Sequence, residues 1–327
     1  MSEFFSSLIN YDLDEQGFKQ LALEAFQFQY ESNSVYRQFV YYLKKDFTDI
    51  KEINDIPFLP VQFFKKNKVS CSEEHDTVFT SSGTSGMEES KHFVKDISIY
   101  KKSFEKGFEY FFGNAEDYCI LALLPSYLER SGSSLVFMMD ELIKKSKHPL
   151  SSFHLHDKVN LINILQELKN KKQKTLLLGV TYALLDLAEF NIELNENFLV
   201  METGGMKGKR KEMIKEELHQ QLKSKFKINQ VYSEYGMTEL LSQAYSKSSG
   251  IFEAPPWMKV VIKEITDPNK VCDLNKSGIV NVIDLANWYS CPFIATQDLG
   301  KKIDEKHFEL LGRLDNSDIR GCNLLVA

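Results

Sequence analysis

Cysteine is scarce and scattered in this sequence: Cys71, Cys119, Cys272, Cys291 and Cys322 are its five, an odd number without a CxxC pair. That spacing builds neither a zinc ribbon nor a disulfide framework. A basic excess is missing too, since 40 Lys and Arg face 46 Asp and Glu for a net charge of −6. Proteins that grip phosphate backbones by charge carry the opposite balance, so nucleic-acid binding is disfavoured. The longest apolar run, 118–124, falls far short of the roughly 20 residues of a membrane span. The N-terminal stretch carries acids and lacks the basic start and apolar middle of a secretion signal. A reduced, cytoplasmic protein with no membrane span is expected. No internal repeat or low-complexity tract is present.

What is there fits an ordinary globular protein. Hydrophobic residues make 43% and charged residues 26% of the 327, which excludes wholesale disorder, a fibre and a disulfide mini-scaffold. The length suggests about two domains or one large one. Residues up to about 43 read helical, with Phe18, Leu21, Ala22, Ala25 and Phe26 on one face. Pro57 and Pro60 then force extended chain. From 118 onward strands (118–124, 152–155, 175–178, 198–201, 228–232) alternate with helices (134–145, 159–168, 182–190, 210–222). That alternation predicts an α/β fold with a largely parallel sheet. After about 251 the texture turns to strands and turns, such as 258–265 and 278–285. Three units are expected: a helical segment over 1–75 packed on the main domain, an α/β core over 76–250, and a β-rich subdomain over 251–327 whose tail carries Cys322.

Four segments carry chemistry. Thr80, Ser81, Ser82, Gly83, Thr84, Ser85 and Gly86 lie between an extended apolar stretch and an expected helix. Glycines let backbone N–H groups approach a phosphate and hydroxyls add donors, although the same composition also makes a plain turn. The Walker A pattern is absent. Lys91, His92 and Lys95 follow and offer positive charge, against Glu88 and Glu89. In the second segment a strand ending near Tyr232 and a bend at Gly236 would deliver Thr238 and Glu239 to the carboxyl edge of the sheet. A hydroxyl beside a carboxylate suits a phosphate oxygen and a hard cation; a polar turn is the alternative. Third, Gly204 and Gly205 follow the strand 198–201 and allow a flat ligand against the backbone, or simply a tight turn. Fourth, Asp298 can accept two hydrogen bonds from a ribose diol, and Arg313 can fork onto it or onto phosphate. Cys322, near Arg313 and Arg320, is either a cation-activated thiol or a buried residue of a last strand.

In this order the segments resemble the adenylate-forming enzymes. The run 81–86 resembles their phosphate loop, Tyr235-Gly-Met-Thr-Glu239 their Tyr-Gly-x-Thr-Glu motif, Thr296-Gln-Asp298-Leu their Thr-Gly-Asp-Leu and Gly312-Arg313-Leu-Asp315 their hinge. The closest likeness is to the LuxE-type acyl-protein synthetases, carried by Asp55-Ile-Pro-Phe-Leu-Pro-Val-Gln-Phe-Phe-Lys65, Ser90-Lys-His92, Leu124-Pro-Ser-Tyr-Leu-Glu-Arg130, Gly204-Gly-Met-Lys207 and Asp318-Ile-Arg-Gly-Cys322.

The resemblance implies an adenylate-forming N-terminal-domain fold without the C-terminal lid domain. It also implies ATP- and Mg²⁺-dependent conversion of a carboxylic acid, expected to be a long-chain fatty acid, to acyl-AMP. The resemblance assigns 80–86 to the phosphates, Glu239 to Mg²⁺, Gly204 and Gly205 to the adenine edge and Asp298 to the ribose. Tyr235, Gly236 and Thr238 belong to the same nucleotide site, and Cys322 is the acyl acceptor as a thioester. A fatty-acid reductase-type partner would take the acyl group next. Two departures stand out. Glu89 occupies the place of the usual phosphate-loop lysine, and with the lid lysine missing, Lys91, Lys207 and Arg313 are candidates for stabilising the transition state. A small acyl- or aryl-CoA ligase, or a non-catalytic relative that only binds, is the alternative.

Overall fold

The structure is a computed structural model that describes residues 8–81, 88–125, 132–204 and 213–314. Its first long helix, α1 (Glu15–Ser32), starts where the Asp14 carboxylate accepts the Gly17 N–H at 2.7 Å, and Glu15 suits the helix dipole. Phe18, Ala22, Ala25, Phe26 and Gln29 form its buried stripe. Asn33 closes α1 and caps α2 (Ser34–Tyr42), so the stretch read as helical up to about residue 43 holds two helices. The short strand β1 (Leu59–Pro60) and helix α3 (Phe63–Lys66) follow.

Next, β2 (Thr77–Thr80) and β3 (Lys91–Val94) pair antiparallel as a separate two-stranded sheet. The segment read as a phosphate loop therefore closes onto a strand; the helix α4 (Ile97–Phe112) comes only afterwards. Its apolar residues Ile99, Tyr100, Phe104, Phe108 and Phe111 recur at helical spacing and are buried.

The alternating section contains β4 (Cys119–Leu123), α5 (Ser134–Ser146), β5 (Ser152–Phe153), α6 (Lys158–Lys171), β6 (Thr175–Val180), α7 (Thr181–Ala188), β7 (Phe198–Thr203), α8 (Lys215–Phe226) and β8 (Tyr232–Tyr235). Strands β5, β4, β6, β7 and β8 are neighbours in that order and all parallel. Every residue of β4 and β6 is buried, as parallel strands covered on both faces require. Two elements are displaced from their sequence positions. Helix α8 begins at Lys215 and leaves Ile214 exposed, because Leu218, Leu222 and Phe226 form the buried row. Strand β8 begins at Tyr232, where the expected strand over 228–232 was to end, so Ser233, Glu234 and Tyr235 are themselves strand residues.

Antiparallel strands extend the same sheet beyond β8: β9 (Ala244–Ser248), β10 (Ile251–Glu253), β11 (Met258–Lys263), β12 (Ser277–Asp284), β13 (Phe293–Lys302) and β14 (His307–Arg313). Their spatial order from β8 is β9, β10, β14, β13, β12, β11, with β1 parallel to β13. Hydrogen bonding thus runs unbroken across residue 250. No described helix is long and apolar enough to cross a membrane.

Candidate active site

Asp298 takes its aim from a bulge. Ile279 pairs with Leu299 and Asn281 with Ala295, which leaves Thr296, Gln297 and Asp298 opposite Val280 alone. Thr296 Oγ1 donates to the Val280 carbonyl at 2.8 Å and accepts the Asp298 N–H at 3.0 Å. Backbone groups dropped by the ladder are satisfied in that way. The Asp298 carboxylate accepts the Tyr235 hydroxyl at 2.9 Å and lies 3.6 Å from Arg313 Nε. Burial pushes its pKa up, while the Tyr235 hydrogen bond and the Arg313 charge pull it down. Arg313 pairs with Asp298 across β13 and β14, yet its side chain is 70% exposed and keeps its other donors in solvent.

Glu239 follows the bend after β8. Its segment is pinned through backbone groups: His92 Nδ1 donates to the Thr238 carbonyl at 2.8 Å and Asn287 Nδ2 to the Glu239 carbonyl at 2.7 Å. The buried Asp284 carboxylate accepts the N–H groups of Leu241 and Ser242 at 2.8 and 2.9 Å. Glu239 is buried, and burial raises its pKa against the Ser90 hydroxyl and the charges of Arg313 and Lys65. The Arg313 charge lowers the pKa of both carboxyls, while its guanidinium lies within ion-pair distance of Asp298.

The β2–β3 pair meets the Glu239 segment through His92 and Ser90. Ser81 N–H donates to the Ser90 carbonyl at 3.1 Å and Ser81 Oγ accepts the Ser90 N–H at 2.9 Å. Thr80 N–H donates to the Gly132 carbonyl at 2.7 Å. Gly132 has φ +87°, and a Cβ there would come 3.1 Å from Thr80 Oγ1. Gly132 precedes Ser133, the N-cap of α5, so the hairpin end lies beside a helix N-terminus, where anions are favoured. Lys91 is exposed opposite Thr80. His92 does not supply the positive charge expected of it. A carbonyl only accepts, so His92 holds its hydrogen on Nδ1 while Nε2 faces the Ser290 hydroxyl at 2.8 Å. Burial pushes its pKa down to about 4 and keeps it neutral. Lys95 lies over the Tyr289 ring, 4.3 Å from its centroid.

Gly204 ends β7 with φ +67°, a conformation that favours glycine. Its carbonyl accepts the Thr181 hydroxyl at 2.9 Å. Beneath it the buried Glu202 carboxylate accepts Lys215 Nζ at 2.7 Å and Thr181 Oγ1 at 3.3 Å. Burial raises the Glu202 pKa, but Lys215 and the hydrogen bonds outweigh it and bring it to about 2.

Of the residues expected at the site, Tyr235, Asp298 and Arg313 are linked by these contacts, and Ser81 is joined through Ser90 and the neighbouring His92 to Glu239 and Thr238; Thr80 and Lys91 face each other on the β2–β3 pair, and Gly204 follows the adjoining strand β7. Ser82, Gly83, Thr84, Ser85, Gly86, Gly205, Lys207 and Cys322 lie outside the described residues. His92 as a neutral strut, Asp284 and the Glu202–Lys215 pair were missed, since nothing local marks a buried acid or a neutral histidine. Among the described residues no group of three or more His, Cys, Asp or Glu side chains is arranged to hold a metal. One carboxylate with the substrate's own phosphates, the usual arrangement for Mg²⁺, fits Glu239 and the hairpin beside it. A cavity of about 350 Å³ lined by Tyr11, Phe18, Tyr110, Lys259 and Lys302 lies toward the other end of the β13–β14 ladder, away from Asp298.

The sequence profile described as acyl-protein synthetase, LuxE, matches residues 6–327. The long-chain-fatty-acid–luciferin-component ligase of Aliivibrio fischeri is 25% identical over 94% of this chain and 87% of its own length. Its counterpart from Vibrio harveyi is 26% identical over 94% and 86%. Among solved structures, 2-hydroxyisobutyryl-CoA ligase, in an open conformation with 2-HIB-AMP and CoA, superposes with a TM-score of 0.69 at 12% identity, covering 92% of this chain and 70% of that one. ATP-bound MatB from Rhodopseudomonas palustris gives a TM-score of 0.54 at 16% identity, over 72% of this chain and 47% of that one. The fold is that of the adenylate-forming enzymes.

Proposed function

The chain belongs to the LuxE family of acyl-protein synthetases, and from that premise we propose that it activates a long-chain fatty acid with ATP and Mg²⁺ and carries the acyl group on Cys322. The observation that carries this reading is that Tyr235, at the end of β8, hydrogen-bonds Asp298 beside Arg313, while Glu239, four residues further on, hydrogen-bonds Ser90 of the segment leading into β3.

Asp298 has a lone-pair set free beside the one taken by Tyr235 and would receive the ribose hydroxyls. The hairpin end at Thr80 and Ser81, beside the α5 N-terminus, would take the phosphates. Glu239 is the carboxylate for the metal; burial raises its pKa, so the ionised form that the cation needs would be lost at a higher pH than for a free carboxylate. In the first step a carboxylate oxygen of the fatty acid attacks the α-phosphorus, and the bond to the bridging oxygen breaks to release pyrophosphate. Arg313 can follow the charge that develops there. In the second, the Cys322 thiol gives its proton to solvent, the thiolate attacks the acyl carbon, the C–S bond forms and the C–O bond to AMP breaks, releasing AMP. A reductase-type protein would then accept the acyl group.

Acid-dependent ATP–pyrophosphate exchange tests the first step. Glu239→Gln keeps the shape and removes the charge; exchange should drop about a hundredfold, the scale of losing one preorganised electrostatic contact, with the melting temperature unchanged. Undiminished exchange would remove Glu239 from the site.

A further inference from the structure

Strand β8 holds an acid that no motif accounts for. Alternation turns Glu234 to the opposite face of the sheet from Tyr235. It is buried, and its Oε2 accepts the hydroxyl of Thr203, its cross-strand partner on β7. Its Oε1 lies over Gly236, where a Cβ would fall 2.5 Å away. One side chain thus touches both the residue before the Gly204 turn and the glycine that starts the bend to Thr238 and Glu239. Neither turn can move without disturbing the carboxyl.

Its surroundings hold no cation on that face among the described residues. Thr203 faces it from β7, Tyr245 from β9 as its other cross-strand partner, and Tyr100 from α4. Gln243, just before β9, packs against Gly236 and hydrogen-bonds Tyr100. Glu202 and Lys215 act on it through the sheet from the far side, with opposite signs. An ionised Glu234 is therefore a buried negative charge between the Thr203–Gly204 turn and the Gly236 bend, the two turns that border the proposed nucleotide and acyl site. Burial, reinforced by Glu202 and opposed by Thr203 and Lys215, raises its pKa to about 7.

We propose that Glu234 is a positioning residue and pH switch of the acyl-activation site: in either form it ties the Thr203–Gly204 turn to the Gly236 bend, and when ionised it adds a buried negative charge that weakens binding of the carboxylate substrate. This inference rests on the acyl-activation reading. The test is acid-dependent ATP–pyrophosphate exchange with octanoate, which stays ionised from pH 6 to 8. If only the neutral form binds, the apparent KM rises about tenfold over that interval with kcat little changed, because the competent fraction falls in proportion. Glu234→Gln keeps an acceptor for Thr203 and cannot ionise, so its KM should stay at the low value throughout. Glu234→Ala, which loses the tie, should show a high KM without inflection. Persistence of the inflection in Glu234→Gln, or a pH-independent KM in wild type with robust exchange, overturns the switch alone. Absence of acid-dependent exchange at every pH overturns the acyl-activation reading and the switch with it.

Discussion

Glu202 and Glu234 stand on neighbouring strands, face opposite sides of the sheet and titrate in opposite directions. The difference is Lys215, whose ammonium lies 2.7 Å from Glu202 and reaches Glu234 only through the sheet. Glu202 has a folded pKa of about 2 against 4.5 for the free group. A depressed carboxylate pKa supplies stability that is complete above the unfolded value and is lost as pH falls through the folded one. For Glu202 that window runs from about 4.5 down to about 2, and the contribution at neutral pH is about 3 kcal/mol. Glu202→Gln should therefore lower the unfolding free energy in urea by about 3 kcal/mol at pH 7, with the deficit largely gone at pH 2. An equal deficit at both would mean that the amide costs packing rather than charge. None of this was visible in the residues read singly, because Glu202 looks like any acid at a strand end until α8 brings Lys215 beneath it.

The β2–β3 pair is the element on which the site depends most. His92 fixes it to the Thr238 carbonyl and to Ser290, and the Phe64 ring packs edge-on against the imidazole at 5.7 Å. Leaving a buried acceptor without its donor costs about 1–3 kcal/mol. His92→Phe keeps the ring volume and removes both hydrogen bonds. The expected outcome is a melting temperature several degrees lower and a raised KM for ATP in pyrophosphate exchange, because the phosphate-side hairpin and the Glu239 segment lose their common anchor. A variant with lower stability but unaltered KM for ATP would confine His92 to folding. The strands β4, β6 and β7 were legible from the apolar runs at 119–123, 176–178 and 198–201 that they contain. Strand β8 was not, because Ser233 and Glu234 read as a polar turn, and only Thr203 and Tyr245 on either side make them interior. The hairpin was hidden for the same reason: Lys91 and His92 look like surface cations, and burial against Thr238 neutralises the second.

Across the whole molecule, the order of the motifs along the chain was the most informative feature, since it anticipated the adenylate-forming fold without any knowledge of strand order. Contacts between the ends of the chain carried no local signal. Gln29 and Asn33 hydrogen-bond the carbonyls of Trp288 and Ser290 across sequence separations of 259 and 257 residues, stitching the helical pair to the segment between β12 and β13. The bulge that aims Asp298 was equally silent, although Thr296, which satisfies its backbone, is part of the recognised motif. The central claim is that activation and carriage of a long acyl chain occur on this one polypeptide, and intact mass spectrometry after incubation with ATP, Mg²⁺ and acids from acetate to tetradecanoate tests it most directly. Burial of about 0.8 kcal/mol per methylene should make labelling rise with chain length. The account predicts one hydroxylamine-labile acyl group on the wild type with the longer acids and none on Cys322→Ser, whose pyrophosphate exchange stays intact. A labile adduct that persists in Cys322→Ser, or equal labelling by acetate and tetradecanoate, would contradict it.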